Sequence, residues 1–182
     1  VWIKFTFGYN VRDFHLCPSL LFISINTDMR EYEFTSPSFV IVMGGAGSGK
    51  NYFIEHDHTL STYSMVDVDS MKLKMPLSQA ISAIKPELER YFQAKTNVVH
   101  PTTGANIKGQ LNKIALAKQY GYRIILILCD TDPEVAVQRV AKRVAAGQHD
   151  VEHDVIIASN QKARANFEQL KAHVDQSRVI TS

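Results

Sequence analysis

Gly44-Gly45-Ala46-Gly47-Ser48-Gly49-Lys50-Asn51 is the stretch on which the reading of this chain turns. It follows Ser38-Phe39-Val40-Ile41-Val42-Met43, an apolar, β-branched run that reads as a buried strand. It precedes Tyr52-Phe53-Ile54, which reads as the opening of a helix. Strand, glycine turn, lysine and helix are the context of a phosphate-binding loop. Glycines let successive backbone N–H groups converge on phosphate oxygens, and the helix N-terminus adds a favourable dipole. Lys50 is placed to reach the β/γ-phosphates. A glycine cluster can also be a plain turn, but lysine in this slot favours nucleotide binding over that alternative. Residues 44–51 are therefore the candidate ATP-binding segment. In G-x-x-x-x-G-K the next residue is Ser or Thr, whose hydroxyl binds Mg²⁺. Asn51 occupies that place and makes its amide oxygen the candidate metal ligand.

Outward from the loop, strands alternate with helices. Tyr63 to Asp69 reads as a second strand ending in acids. Leu77, Ile81, Ile84, Leu88 and Phe92 recur at helical spacing, with Pro86 kinking the segment or starting a new helix. Residues 97–100 form a short third strand. Ile107, Leu111, Ile114 and Ala115 mark a helix ending at Gly121. Residues 123–129 are apolar throughout, as a central parallel strand should be, apart from Arg123 at the start. Asp132-Pro133-Glu134 supplies a cap, a first-turn proline and an acid for a helix running to about Ala146. A further helix spans about 151–174, and residues 178–181 read as a last strand. Together with the phosphate loop, this order predicts an α/β fold of three layers, of P-loop NTPase type, with a parallel sheet and helices on both faces. Ligands of such sheets bind at the carboxyl ends of the strands. Lys50, Asp67, Asp69, His100 and Asp130 all fall there.

Phosphoryl transfer requires a phosphate cradle, a metal, a group that orients or deprotonates the acceptor, and cations for developing charge. Asp67 and Asp69 leave the second strand two residues apart, so they are expected on opposite faces. One of them, with Asp69 preferred, can serve as base or as a water-mediated metal partner. The alternative is that one caps the next helix and the other is solvated. Arg139 and Arg143 lie four apart on one helix face, beside Lys142. They form either a cationic lid over the triphosphate or a solvated basic face, and the loop upstream favours the lid. His100-Pro101-Thr102-Thr103-Gly104 is a polar turn able to hold an acceptor, or a connection whose threonines cap the next helix. Asp130 resembles an acid of Walker B type, yet Asp130 and Asp132 equally suit the turn into the following helix. His56-Asp57-His58, His149-Asp150 and His153-Asp154 carry metal-type residues without metal-type spacing and read as exposed loops.

Composition sets the frame for these motifs. A chain of 182 residues, 45% hydrophobic and 21% charged, suits one α/β domain with a sizeable core. A net charge of +2 does not by itself argue for nucleic acid. Cys17 and Cys129 stand far apart; Cys129 reads as a buried thiol, and the pair makes no disulfide framework. Such usage fits a reducing cytoplasm. The apolar run Leu16–Ile25 is broken by Pro18 and too short to span a membrane. Met29 begins the compact stretch leading to the first strand. Residues 1–37 are therefore expected to be an N-terminal extension, with Met29 the natural start, and residues 38–182 the kinase domain.

The span from about Phe39 to Leu170 resembles the zeta-toxin-like P-loop kinases, a group related to polynucleotide kinases and to phage DNA-modifying kinases. The resemblance is carried by residues 44–50, by Val66-Asp67-Val68-Asp69, by Val98-Val99 before Thr103-Gly104, and by Gly121-Tyr122. Asp132-Pro133-Glu134 with Arg139, Arg143, Gly147, His149 and Val151 completes the series. The resemblance implies a kinase using ATP and Mg²⁺, with Lys50 at the phosphates and Asp69 as base toward the acceptor hydroxyl. It implies Arg139 and Arg143 as lid residues; from the residues themselves, the acceptor site is expected to take in Asp67, His100 and Thr103. The acceptor is expected to be nucleotide-like or a nucleic acid, such as a polynucleotide 5′-hydroxyl or a hydroxymethylated pyrimidine in DNA. The second expectation is the zeta-toxin substrate, UDP-N-acetylglucosamine; a toxin would bring an antitoxin as partner. Two departures, Asn51 and His100 in place of a strand-ending acid, point to a third reading, a nucleotide-binding module without turnover. The sequence ends soon after the last strand, so an adenine-contacting segment there is expected to be short or absent.

Overall fold

The computed structural model describes residues 36–147 and 151–181. The expected extension, its start at Met29, the run Leu16–Ile25, Cys17, His149 and Asp150 lie outside the described residues. Five strands make one parallel sheet: β1 (Ser38–Met43), β2 (Ser64–Met65), β3 (Val98–Thr102), β4 (Arg123–Asp130) and β5 (Gln176–Thr181). Their order across the sheet is β2-β3-β1-β4-β5. The helices are α1 (Lys50–His56), α2 (Val68–Lys72), α3 (Leu77–Gln93), α4 (Ile107–Gln119), α5 (Pro133–Ala145) and α6 (His153–Leu170).

Alternation along β1 explains the layers. Phe39, Ile41 and Met43 turn to one face and pack with Ile84, Leu88 and Phe92 of α3, Ile114 and Ala117 of α4, and Ala163, Phe167 and Leu170 of α6. Val40 and Val42 turn to the other face and meet Ile54 of α1 and Leu60 beyond it. Every residue of β1 after Ser38 is buried. That two-sided burial is why the strand carries no polar alternation. The three-layer α/β arrangement expected from the sequence is thus observed.

The order of the strands creates the site. After β1 the chain crosses to the sheet edge at β2, whereas after β3 it passes over β1 to β4. The two strands that part company are neighbours, paired from Phe39↔Val98 to Met43↔Thr102. Their carboxyl ends therefore open a crevice, the topological switch point at which such sheets bind ligands. Gly44 N–H donates to the Thr102 carbonyl at 3.2 Å across it.

Three local expectations are corrected. The second strand stops at Met65 instead of running to Asp69, because Asp67 caps α2: its carboxylate accepts from Asp69 N–H at 3.1 Å and Ser70 N–H at 3.0 Å. Asp67 and Asp69 are thus not opposite residues of a strand. Pro86 does not start a new helix; α3 runs through it from Leu77 to Gln93. The helix expected over 151–174 ends at Leu170, with a short 3₁₀ turn following.

Candidate active site

The loop after β1 is shaped by the space that glycine leaves. A Cβ at Gly47 would lie 2.4 Å from the Ala136 carbonyl, and its φ of +74° is one that L residues rarely adopt. A Cβ at Gly45 would strike Asn160 at 2.5 Å. These glycines allow α5 and α6 to close on the loop from outside. From within, Lys50 Nζ donates to the carbonyls of Gly44 at 2.7 Å and Gly45 at 2.9 Å. Burial depresses the Lys50 pKa, while Cys129, Asp69 and Asp67 counteract that and Arg143 reinforces it. The lysine is thus coupled electrostatically to the residues around the cleft, although its hydrogen bonds go to its own loop.

Residues of α6 and of the segment at the end of β4 hold the loop. The Ser159 hydroxyl accepts from Ala46 N–H at 3.1 Å, and Asn160 Nδ2 donates to the Ala46 carbonyl at 3.0 Å. The buried Thr131 hydroxyl, just past β4, donates to the Ser48 carbonyl at 3.1 Å. Arg164 pairs with Asp130 and donates to the Thr131 carbonyl at 3.1 Å. Asp130, read as resembling a Walker B acid, is therefore engaged by an arginine of α6. Beyond β3, Asn166 Nδ2 donates to the Gly104 carbonyl at 2.7 Å and fixes the turn that follows the strand. Ser159, Asn160, Arg164 and Asn166 were not found from the sequence. Asn160 carried a signal: a buried amide four residues after Ile156 and three before Ala163, on the apolar stripe of α6.

A cleft of about 1590 Å³ runs from this loop to the wall formed by α3 and α4. It brings together nearly every residue singled out from the sequence: Ala46 to Asn51, Asp67, Asp69, His100, Thr103, Arg139 and Arg143 all line it. Gly44 and Gly45 stand behind the loop and are buried. Arg139 lies over the loop, its Nη1 3.4 Å from where a Cβ of Gly49 would be. Asp67 is spent on capping and also accepts from the Ser70 hydroxyl at 3.0 Å. Asp69 is 74% exposed and paired with Lys72 at 2.7 Å, so its carboxylate remains accessible to the cleft.

His100 is buried at 2% exposure, stacked on Phe39 at 6.4 Å between ring centroids. Its Nδ1 meets the Val66 carbonyl at 2.6 Å. A carbonyl only accepts, so Nδ1 carries the proton and Nε2 presents a lone pair. Desolvation, with the Lys113 charge adding to it, pushes the imidazole pKa down to about 4, leaving the ring neutral at ordinary pH. Nε2 has no hydrogen-bond partner among the described residues, and neither has Gln110 Oε1. Gln110 Nε2 donates to the Thr102 hydroxyl at 3.1 Å.

The metal-like clusters have structural uses. Asp57 accepts from Thr59 N–H at 3.0 Å and Leu60 N–H at 2.9 Å, and His56 stacks on Tyr52. His153 and Asp154 pair with each other at 3.3 Å at the start of α6. Among the described residues no group of three or more His, Cys, Asp or Glu could hold a metal. Mg²⁺ needs no such group, since it binds through one or two protein oxygens and the phosphates of its substrate. Asn51 and Asp69, both on the cleft, fit that limited role. The cradle of the loop, where side chains at Gly44, Gly45 and Gly47 are sterically barred, fits a polyphosphate. The Cys129 thiol is buried and its pKa pushed up to about 11, which makes it an inert core residue.

Comparison with known proteins matches residues 39–170 to a family model described as AAA domain, AAA_33. No curated protein matches the chain. Among solved structures, one from the PezAT chromosomal toxin–antitoxin system of Streptococcus pneumoniae is similar with a TM-score of 0.67 at 16% identity. That match covers 80% of this chain and 68% of the other. A chain of the Pnkp1/Rnl/Hen1 RNA repair complex is similar with a TM-score of 0.62 at 19% identity, over 74% of this chain and 46% of that one. A putative kinase from Chloroflexus aurantiacus is similar with a TM-score of 0.60 at 14% identity, over 81% and 89% of the two chains. At these identities the likeness establishes a shared P-loop kinase-like fold. No helix among the described residues is long and apolar enough to cross a membrane.

Proposed function

The chain belongs to the AAA_33 family, and on that premise we propose that it is an ATP-dependent kinase acting on a hydroxyl of a nucleotide-like or nucleic-acid acceptor. The observation that carries this reading is a single cleft joining the phosphate loop to an accessible carboxylate and two arginines. The backbone N–H groups of Gly47, Gly49 and Lys50 hold the donor's phosphates at the N-terminus of α1. Lys50 exchanges the carbonyls of Gly44 and Gly45 for phosphate oxygens. Asn51 would hold Mg²⁺ together with water and the phosphates, and the ion would supply positive charge against the phosphate oxygens. Asp69 takes the proton of the acceptor hydroxyl as that oxygen attacks the γ-phosphorus. Arg139 and Arg143 stabilise the charge that grows on the transferred group and on the leaving oxygen. Thr103 and His100 meet the acceptor, and Asp67 contributes indirectly by setting the first turn of α2 that presents Asp69.

The test is transfer of radiolabelled γ-phosphate to a panel of acceptors: single-stranded DNA with and without hydroxymethylated pyrimidine, RNA with 5′-hydroxyl ends, nucleosides and UDP-N-acetylglucosamine. Label on one class, reduced about 10²-fold or more by Lys50→Ala, is the expected result. Full transfer by that variant overturns the assignment. ATP binding without transfer to any acceptor favours the non-catalytic module instead.

A further inference from the structure

The wall of the cleft opposite the phosphate loop carries charge that the mechanism does not use. Lys113, on the inner side of α4, lines the cleft and is half-buried. Its ammonium makes no hydrogen bond or ion pair with any described residue. Burial lowers its pKa, so desolvation of the ammonium is not offset by a partner. Among the described residues the cleft is lined by Lys50, Lys72, Lys85, Lys113, Arg139 and Arg143, against Asp67 and Asp69 alone. Asp67 serves as a cap and Asp69 is paired with Lys72, so Lys113 has no carboxylate to answer it. His100 lies close enough for the Lys113 charge to act on it, and its Nε2 is a buried acceptor without a donor among the described residues. Ile84, Leu88 and Leu116 complete an apolar wall around the two.

A half-buried cation lacking a counter-ion is costly to maintain unless a ligand supplies the anion. We propose that Lys113 is the anion-binding residue of an acceptor subsite on the α3–α4 wall, and that the group it holds is a phosphate ester carried by the acceptor beside the hydroxyl to be phosphorylated. The His100 imidazole forms the polar floor of this subsite and accepts a hydrogen bond from a hydroxyl or N–H of the same molecule. The apolar wall suits a base or another flat ring. The acceptor is thus already phosphorylated or is a strand of nucleic acid, and a neutral nucleoside is a poor ligand. The inference rests on the kinase reading of this cleft, since it takes the loop for the donor and this wall for the acceptor.

Binding is measured by calorimetry with the loop saturated by Mg²⁺ and a non-hydrolysable ATP analogue, so that added phosphate cannot enter it. The probes are thymidine, thymidine 3′-monophosphate and a short single-stranded oligothymidylate. The wild-type chain is expected to prefer the monophosphate to thymidine by about 10- to 100-fold, the value of one charge-assisted contact. Lys113→Met is expected to erase that preference, and Lys113→Arg to restore most of it. The methionine variant should melt no lower than wild type, because it removes a desolvated charge from a site it can fill. A lysine with a merely structural role would lower the melting temperature and leave the preference unmoved. Oligothymidylate binding tighter than the monophosphate identifies nucleic acid as the source of the phosphate; equal binding identifies a mononucleotide. An unchanged preference in Lys113→Met, or no preference in the wild type, overturns the subsite. Failure of the wild type to bind the ATP analogue at all is a different outcome and counts against the kinase reading itself.

Discussion

Lys50, Asp69 and His100 line one cleft and differ by environment as much as by type. The Asp69 carboxylate, 74% exposed and beside Lys72, is accessible for proton transfer. The His100 imidazole is enclosed, with its one proton committed to the Val66 carbonyl. It is unsuited to act as a base in bulk exchange and suited to read a donor on a ligand. Its depressed pKa has a consequence for stability. In the unfolded chain the ring protonates near its ordinary value of 6.5, whereas in the fold it does so only near 4. Between these values the unfolded state binds the extra proton, so stability must fall as pH drops through that window. The contribution of His100 is about 1.4 kcal/mol per pH unit there. Urea denaturation from pH 7 to pH 4 is expected to show it in the wild type and to show a shallower slope in His100→Asn, whose amide can still donate to Val66. Equal slopes would contradict this account. The sequence marks both Lys50 and His100, which line the cleft. One is marked by its motif and the other by its place at the end of the third strand, although that strand runs on to Thr102 and the polar turn begins only after it. The burial that decides how His100 behaves was not legible, because Phe39 and Val66 that enclose it come from other parts of the chain.

Elements were read well where the pattern was long and poorly where it was short. The apolar run of β4 and the cap, proline and acid opening α5 leave few alternatives, and Asp132 does accept from Glu134 N–H at 2.9 Å. The segment 63–69 was misread because Met65, Val66 and Val68 mimic a strand, while one side chain, that of Asp67, switches the backbone to a helix. The main element that escaped notice as functional is α6. Its 18 residues supply the core with Phe167 and Leu170 and clamp the loop with Ser159 and Asn160. Asn160→Ala leaves the Ala46 carbonyl without that donor and opens a gap beside Gly45. The expected result is a loss of about 1–2 kcal/mol in stability and a several-fold weaker affinity for an ATP analogue, measured by thermal unfolding and calorimetry. Unaltered nucleotide affinity would assign α6 a purely structural part.

Across the molecule, the cleft depends on links between distant parts of the sequence. Arg164 of α6 reaches Asp130 at the end of β4 and the Thr131 carbonyl, and Thr131 in turn reaches Ser48 in the loop. Arg164→Met should leave Asp130 without its arginine and cost about 1 kcal/mol, since the pair is partly open to solvent, with Asp130→Asn in the same chain recovering part of the loss. Additive losses in the double variant, by denaturant titration, would show that the two residues are not coupled. The linear order of residues determined what is local or periodic. The glycine–lysine loop follows from φ freedom and from the strand and helix beside it. The parallel sheet follows from apolar runs separated by helices, and the position of ligands at strand ends follows from that topology. The tertiary structure decided what depends on chain segments meeting. It engaged Asp130 with Arg164, confined His100, set α6 against the loop, and placed Lys113 on the same cleft as Lys50. Such matters turn on burial and on partners dozens of residues away, and no spacing within one element encodes them.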